Sequence, residues 1–298
     1  MLSTLRARFT RGPLLLDGPT GTELERRGHA TTLPLWTALA VRDAKPILRS
    51  IHEDYARAGA DILTACTFRT SRHVLDKCGR GEEAAALTRE AVALARDVAE
   101  GVQNHEVLVA GSIAPLEDCY HPERTPDHAC LEREHALHAD NLARSGVNLL
   151  LVETMPTSRE AVHAAKAATS TGLPVIVSLL AGPDATLFDS SPLLEAIDAL
   201  SRLPIVALSV NCAPPAWCSR ALDVLRSSGL PFGAYANSSI PDGSFGDQPE
   251  PLGVRDYAAA AGEWLAQGAR LIGGCCGTMP AHIAALRALI DRAAPEAA

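Results

Sequence analysis

The sequence predicts an α/β fold, a single (β/α)8 barrel spanning residues 1–298, on three observations. Eight short apolar runs alternate with stretches of helical period, no linker or composition break interrupts the alternation, and the first turn lacks GxGxxG spacing. That turn reads Asp17-Gly18-Pro19-Thr20-Gly21-Thr22, so the signature of an open dinucleotide-binding sheet is absent. A chain of 298 residues lies within the range of roughly 200 to over 400 that one such barrel occupies.

The candidate strands are Leu14–Gly18, Asp61–Cys66, Val107–Ile113, Asn148–Thr154, Pro174–Leu180, Ile205–Cys212, Pro231–Asn237 and Leu271–Cys276. Each is nearly apolar throughout, as parallel strands buried on both faces must be. Between them the period changes. Leu87, Ala91, Leu94, Ala95 and Val98 form one helical stripe, and Ile283, Leu286, Leu289 and Ile290 form another. Several helices end in a glycine just before the next strand (Gly59, Gly146, Gly172, Gly229, Gly268), where a left-handed residue turns the chain back. The longest non-repetitive stretches, about 19–45, 114–131 and 238–252, all follow strands, and loops on that side carry a barrel's chemistry.

Composition narrows the class. Hydrophobic residues are 47% and aromatics 4%, which suits a core of Leu, Val, Ile and Ala. A net charge of −8 argues against nucleic acid as partner, because phosphate binding needs a basic surface. No apolar run approaches the ~20 residues of a membrane span. The N-terminal apolar stretch is only Leu14–Leu16, shorter than a signal peptide's core of ~7–15 residues. A cytoplasmic location is the expectation, with the eight cysteines as thiols rather than disulfides.

Three cysteines stand at strand ends. Cys212 closes the sixth run and Cys275-Cys276 the eighth, which puts all three on one rim. A catalytic zinc site takes three protein ligands and keeps one open position. Adjacent cysteines reach one ion only if the pleat is broken, and Gly273-Gly274 and Gly277 supply backbone freedom. The bland alternatives are thiols packed as small hydrophobes or a vicinal disulfide, and Cys66, Cys78, Cys119, Cys130 and Cys218 are assigned to packing. A three-thiolate zinc site would be anionic, a poor hydrolytic centre but a good holder of a fourth thiol kept deprotonated. Its natural electrophile is a methyl group on a cationic sulfonium or ammonium centre.

These residues resemble the homocysteine S-methyltransferase family over nearly the whole chain. The resemblance rests on Asp17-Gly18-Pro19-Thr20-Gly21-Thr22-Glu23-Leu24, Val109–Pro115, Val152-Glu153-Thr154, Val210-Asn211-Cys212 and Gly273-Gly274-Cys275-Cys276-Gly277-Thr278. It implies Zn2+ on Cys212, Cys275 and Cys276, homocysteine bound through sulfur, and Asp17 and Glu153 receiving its ammonium group. Both acids end an apolar strand, where an unpaired charge asks for a partner, an N-cap or an internal ion pair being the alternatives. Trp36 matches a tryptophan beside the pocket of betaine-using relatives and could face a cationic donor. Asn237 matches an asparagine ending strand seven, with an outer position near zinc.

Two departures bear on the donor: Ala236 stands where the family usually has Pro, and Ala65-Cys66-Thr67-Phe68 where it often has Thr-Asn-Thr-Phe. The chain leaves no room for cobalamin or folate modules, and the further C-terminal segment of betaine enzymes is missing. S-methylmethionine is therefore the expected donor, S-adenosylmethionine next and betaine third. A phosphosugar lyase or isomerase, suggested by Gly273-Gly274 where barrels bind phosphate, leaves the cysteines unexplained. A non-catalytic zinc or thiol sensor is the third reading.

Overall fold

The computed structural model describes residues 2–238 and 251–293, so most of the expected 238–252 loop lies outside the described residues. The strands are β1 (Leu14–Leu15), β2 (Ile62–Ala65), β3 (Leu108–Ile113), β4 (Leu149–Met155), β5 (Val175–Leu179), β6 (Ala207–Asn211), β7 (Phe232–Tyr235) and β8 (Leu271–Ile272). All neighbours pair in parallel, in the order β1-β8-β7-β6-β5-β4-β3-β2. One parallel bridge, Leu16 to Ile62, joins the two ends and closes the barrel.

The helices are α1 (Leu2–Arg11), α2 (Thr20–Arg26), α3 (Ala40–Asp43), α4 (Lys45–Arg57), α5 (Arg72–Asp76), α6 (Ala84–Gly101), α7 (His128–Arg144), α8 (Ser158–Ser170), α9 (Leu193–Leu200), α10 (Pro215–Leu225), α11 (Val254–Ala266) and α12 (Pro280–Ala293). The predicted stripe on α6 is buried from Leu87 to Val98, and on α12 Ile283, Leu286 and Ile290 are buried while Leu289 is half-buried. The five predicted turn glycines all have positive φ, between 69° at Gly229 and 99° at Gly268.

All eight strands occur where expected, but most are shorter. The apolar runs continue past the paired residues because the chain stays buried as it leaves the sheet to build the rim. The difference is greatest at β8, whose ladder ends at Ile272 rather than Cys276. Three helices went unread. α1 precedes the first strand and sets Leu5 and Phe9 in a buried cluster with Leu14, Leu16 and Leu271. The stretch 19–45 also holds α2 and α3. Among the described residues no helix is long and apolar enough to cross a membrane.

Candidate metal and substrate centre

The three predicted cysteines converge. Their Sγ atoms all lie within 4.8 Å of one another, and Cys212 and Cys276 are 4.0 Å apart. Tetrahedral geometry with metal–sulfur bonds of ~2.3 Å places sulfurs about 3.8 Å apart, so the spacing fits one ion.

Local backbone explains how adjacent cysteines share a focus. After Ile272, the Cys275 N–H still donates to the Ala236 carbonyl and the Ser238 N–H to that of Cys276, but a turn begins between them. The Thr278 N–H donates back to the Cys275 carbonyl at 3.0 Å, and Gly277 takes φ 80°, open to glycine at little cost. Gly273 and Gly274 are not left-handed, contrary to the conformational freedom expected of them. They are glycine for space: a Cβ at Gly274 would sit 2.1 Å from the Thr278 Oγ1, and one at Gly273 2.7 Å from the Leu16 Cβ.

Cys212 itself adopts φ 57°, a left-handed conformation uncommon for a side-chain-bearing residue. It is pinned on both sides. The Asn237 Nδ2 donates to its carbonyl at 3.0 Å. Its neighbour Asn211, fully buried, accepts from the Thr154 N–H at 3.0 Å and from the Ser178 hydroxyl at 2.7 Å. Asn211 thus ties the end of β6 to β4 and β5. Thr154, beside Glu153, is left-handed as well, at φ 61°. Strained residues held by their surroundings cluster at functional sites.

Hydrogen bonds from the Cys275 and Cys276 thiols hold the Cys212 thiol well below its ordinary range, with Tyr120 and Asn237 assisting. The Tyr120 hydroxyl is 3.2 Å from the Cys212 Sγ. Cys275 and Cys276 are pushed up because they donate to Cys212.

Asp17 and Glu153 face the same pocket. Its cavity of about 100 Å³ is bounded by both carboxylates, the three cysteines and Trp36. The Thr64 N–H and hydroxyl each donate to Asp17 at 2.8 Å. Glu153 accepts from the hydroxyls of Ser112 and Tyr235, the latter at 3.1 Å. Neither acid caps a helix, and among the described residues neither makes an ion pair. Burial pushes both up to about 7, against the lowering effect of their donors. Two desolvated carboxylates without a cation are a seat for one.

Trp36 lines the pocket, its ring edge-on to Phe68 at 5.5 Å. Gly21 makes room for it, since a Cβ there would lie 2.1 Å from the indole. Asn237 donates to the Cys212 carbonyl and also helps lower its thiol, and its own Oδ1 is buried without a partner among the described residues. Among the cysteines assigned to packing, Cys119 and Cys218 are buried, but Cys78 is exposed and Cys130 half-exposed. These two occupy a loop and a helix's first turn, outside the apolar stripes. Cys66 is buried in the pocket wall, its thiol 3.6 Å from the Thr37 carbonyl and pushed up to about 11 by burial.

Thr64, Ser112, Tyr120 and Tyr235 were not singled out from sequence. Ser112 lies inside the quoted Val109–Pro115 segment and Thr64 and Tyr235 inside candidate strands. Their strand positions were the available signal, but spacing does not encode partners across a barrel. Tyr120 lies on an irregular loop and carries no periodic signal.

The family profile described as Homocysteine S-methyltransferase matches residues 14–290, all but the two ends of the chain. The chain belongs to the homocysteine S-methyltransferase family. An Escherichia coli homocysteine S-methyltransferase is 33% identical over 92% of this chain and 94% of its own length. An S-methylmethionine–homocysteine S-methyltransferase of Rattus norvegicus is 32% identical over 94% of this chain and 78% of its own. Among solved structures, the metallated form of the Escherichia coli homocysteine methyltransferase MmuM superposes with a TM-score of 0.82 at 32% identity, covering 95% of this chain and 99% of that one. Membership in the homocysteine S-methyltransferase family and the barrel fold thus agree.

Proposed function

We propose that this chain is a homocysteine S-methyltransferase of one barrel domain that moves a methyl group from a sulfonium donor to homocysteine, giving methionine. The observation that carries this reading is the pairing, in one small pocket, of three clustered thiols with two buried carboxylates lacking a cation. Homocysteine has a thiol at one end and an ammonium at the other. Phosphosugar chemistry uses neither feature, and a sensor needs no donor pocket.

The residues fit zinc: three sulfurs at tetrahedral spacing, with Asn237 and Tyr120 bonding around Cys212. Bound there, zinc would keep the substrate's thiol ionised at neutral pH. The chain's own groups do the rest. Asp17 and Glu153 hold the ammonium and fix the direction of the sulfur. Thr64, Ser112 and Tyr235 hold those carboxylates. The indole of Trp36 offers a π face to the donor's positive charge. The thiolate then attacks the methyl carbon, the carbon–sulfonium bond breaks, and the donor leaves as a neutral thioether.

S-methylmethionine is the donor we propose, and the rat relative, 32% identical to this chain, is named for it. The test is turnover of homocysteine by zinc-loaded protein with S-methylmethionine, S-adenosylmethionine and betaine. S-methylmethionine should give the largest kcat/KM and betaine the smallest. A preference for betaine would overturn the donor assignment, and no turnover with any donor would overturn the activity.

The carboxylates also set a pH dependence. Protonated below about pH 7, they cannot hold an ammonium group. kcat/KM for homocysteine should therefore rise through about pH 7 and level off above it. A plain alkanethiol, which has no ammonium to seat, should lack that step. Superimposable profiles for the two thiols would remove these acids from substrate recognition.

A further inference from the structure

We infer that the barrel's opposite end carries a second binding site, one for a small multivalent phosphate. A recess of about 360 Å³ opens there, between the N-terminal ends of β1, β2 and β8 and the helices α1 and α12. Four arginines line it, Arg8, Arg11, Arg270 and Arg287, in a chain whose net charge is −8.

Structural duty accounts for only part of this set. Arg287 bonds Asp61 at 3.2 Å and Asp291 at 2.9 Å, and Asp61 also accepts from the Leu15 N–H, which anchors α12 to the sheet. Arg8 uses its Nη2 on Glu106 at 3.0 Å and its backbone-directed bond to the same residue. Its Nη1, however, is buried with no partner among the described residues. Arg11 and Arg270 form no ion pair among the described residues. Arg11 and Arg270 therefore line the recess without an ion pair, and the Arg8 Nη1 adds an unpaired donor to the same lining set.

Guanidinium forks match oxyanions bidentately, and a phosphate can take donors from several at once. One carboxylate would leave most of these donors unused, so a ligand of two or more negative charges fits better. Besides Gly12 and Asp61, whose carboxylate is engaged by Arg287 and the Leu15 N–H, the rest of the wall, Pro13, Leu14, Ile290 and Ala293, is apolar. It would accept the carbon portion of a small phosphate ester. The recess lies across the barrel from Cys212 and Glu153, so an occupant would act on the docking of α1 and α12 and leave the chemistry untouched.

The probe is pyrophosphate, with citrate as a polycarboxylate arm, titrated calorimetrically into the zinc-loaded protein at low salt. We expect one saturable site per chain, weakened at high salt, and a rise in Tm on saturation. The exposed pair Arg11→Ser/Arg270→Ser should bind pyrophosphate at least tenfold more weakly and lose the Tm rise, while methyl transfer and the Tm without ligand stay as in the wild type. Tighter binding of citrate than of pyrophosphate would overturn the phosphate assignment. Absence of saturable binding, or equal binding by the double variant, would overturn the site itself.

Discussion

Cys212→Ala, Cys275→Ala and Cys276→Ala should each reduce zinc from one per chain to substoichiometric and abolish methyl transfer. The loss should exceed the roughly 10–100-fold that follows from removing an outer partner of a metal site, because a ligand itself is removed. Two controls make the result specific. Cys218 is fully buried but outside the sulfur cluster, so Cys218→Ala should keep its zinc and lose only packing. Cys119 is buried close enough to Cys212 to feel its charge, yet it too is outside the cluster, so Cys119→Ala should also keep zinc. Zinc is read by metal analysis of dialysed protein, independently of turnover. A triple alanine variant that retains full zinc would sink the assignment.

Glu153→Gln should separate recognition from metal binding. Zinc stays, since this carboxylate is bonded to Ser112 and Tyr235 and belongs to no metal cluster. Loss of one charge-assisted contact of ~1.5–3 kcal/mol corresponds to about ten- to a hundredfold in kcat/KM with homocysteine. Positioning explains why the loss falls on catalysis: a thiolate turned away from the donor methyl loses its near-attack geometry. A plain alkanethiol should be a poor substrate for both proteins and nearly indifferent to the change. If both thiols slowed equally, Glu153 would be serving metal, donor or fold.

The same variant carries a stability signature of opposite sign. Glu153 is raised from 4.5 to about 7 in the folded protein, so the folded state holds its proton more tightly than the unfolded chain. Its effect is nil below about pH 4.5, grows destabilising as pH rises from there to about 7, and levels off above that. At ~1.4 kcal/mol per pH unit, removing the charge should stabilise metal-free protein at pH 8 by up to about 3 kcal/mol. Denaturant unfolding at pH 8 and pH 4.5 reads it. A destabilised variant at pH 8 would mean the carboxylate has a cationic partner.

What could be read from sequence divides along a physical line. Burial on both faces makes a parallel strand legible as an apolar run, and every strand was found that way. The cysteines and acids were legible because each sits where such a run ends. Where the chain leaves the ladder was not legible, because Gly273, Gly274 and Cys276 stay buried like the paired residues before them, and only Cys275 is partly exposed. Nor were Tyr120 and Tyr235, whose roles depend on loops and strands far away in sequence. α1 escaped because Leu5 and Phe9 are too few to mark a period among Arg6, Arg8 and Arg11. The glycines before Cys275 were correctly tied to the site, but for the wrong reason: crowding fixes them, not left-handed backbone.

The barrel is stitched most loosely where it matters most. β8 is held to each neighbour by two residue pairs, and β1 meets β2 through a single bridge. Cys275 and Cys276 hang from one side of this seam and Asp17 from the other. An ion shared by Cys212, Cys275 and Cys276 would rivet β6 to β8 across β7. A homocysteine spanning from that ion to Asp17 and Glu153 would then brace β8 against β1 and β4, a tie-rod across the open mouth. Substrate would thus brace a seam that the backbone closes with few bonds, and amide hydrogens of β1 and β8 are where that bracing would register.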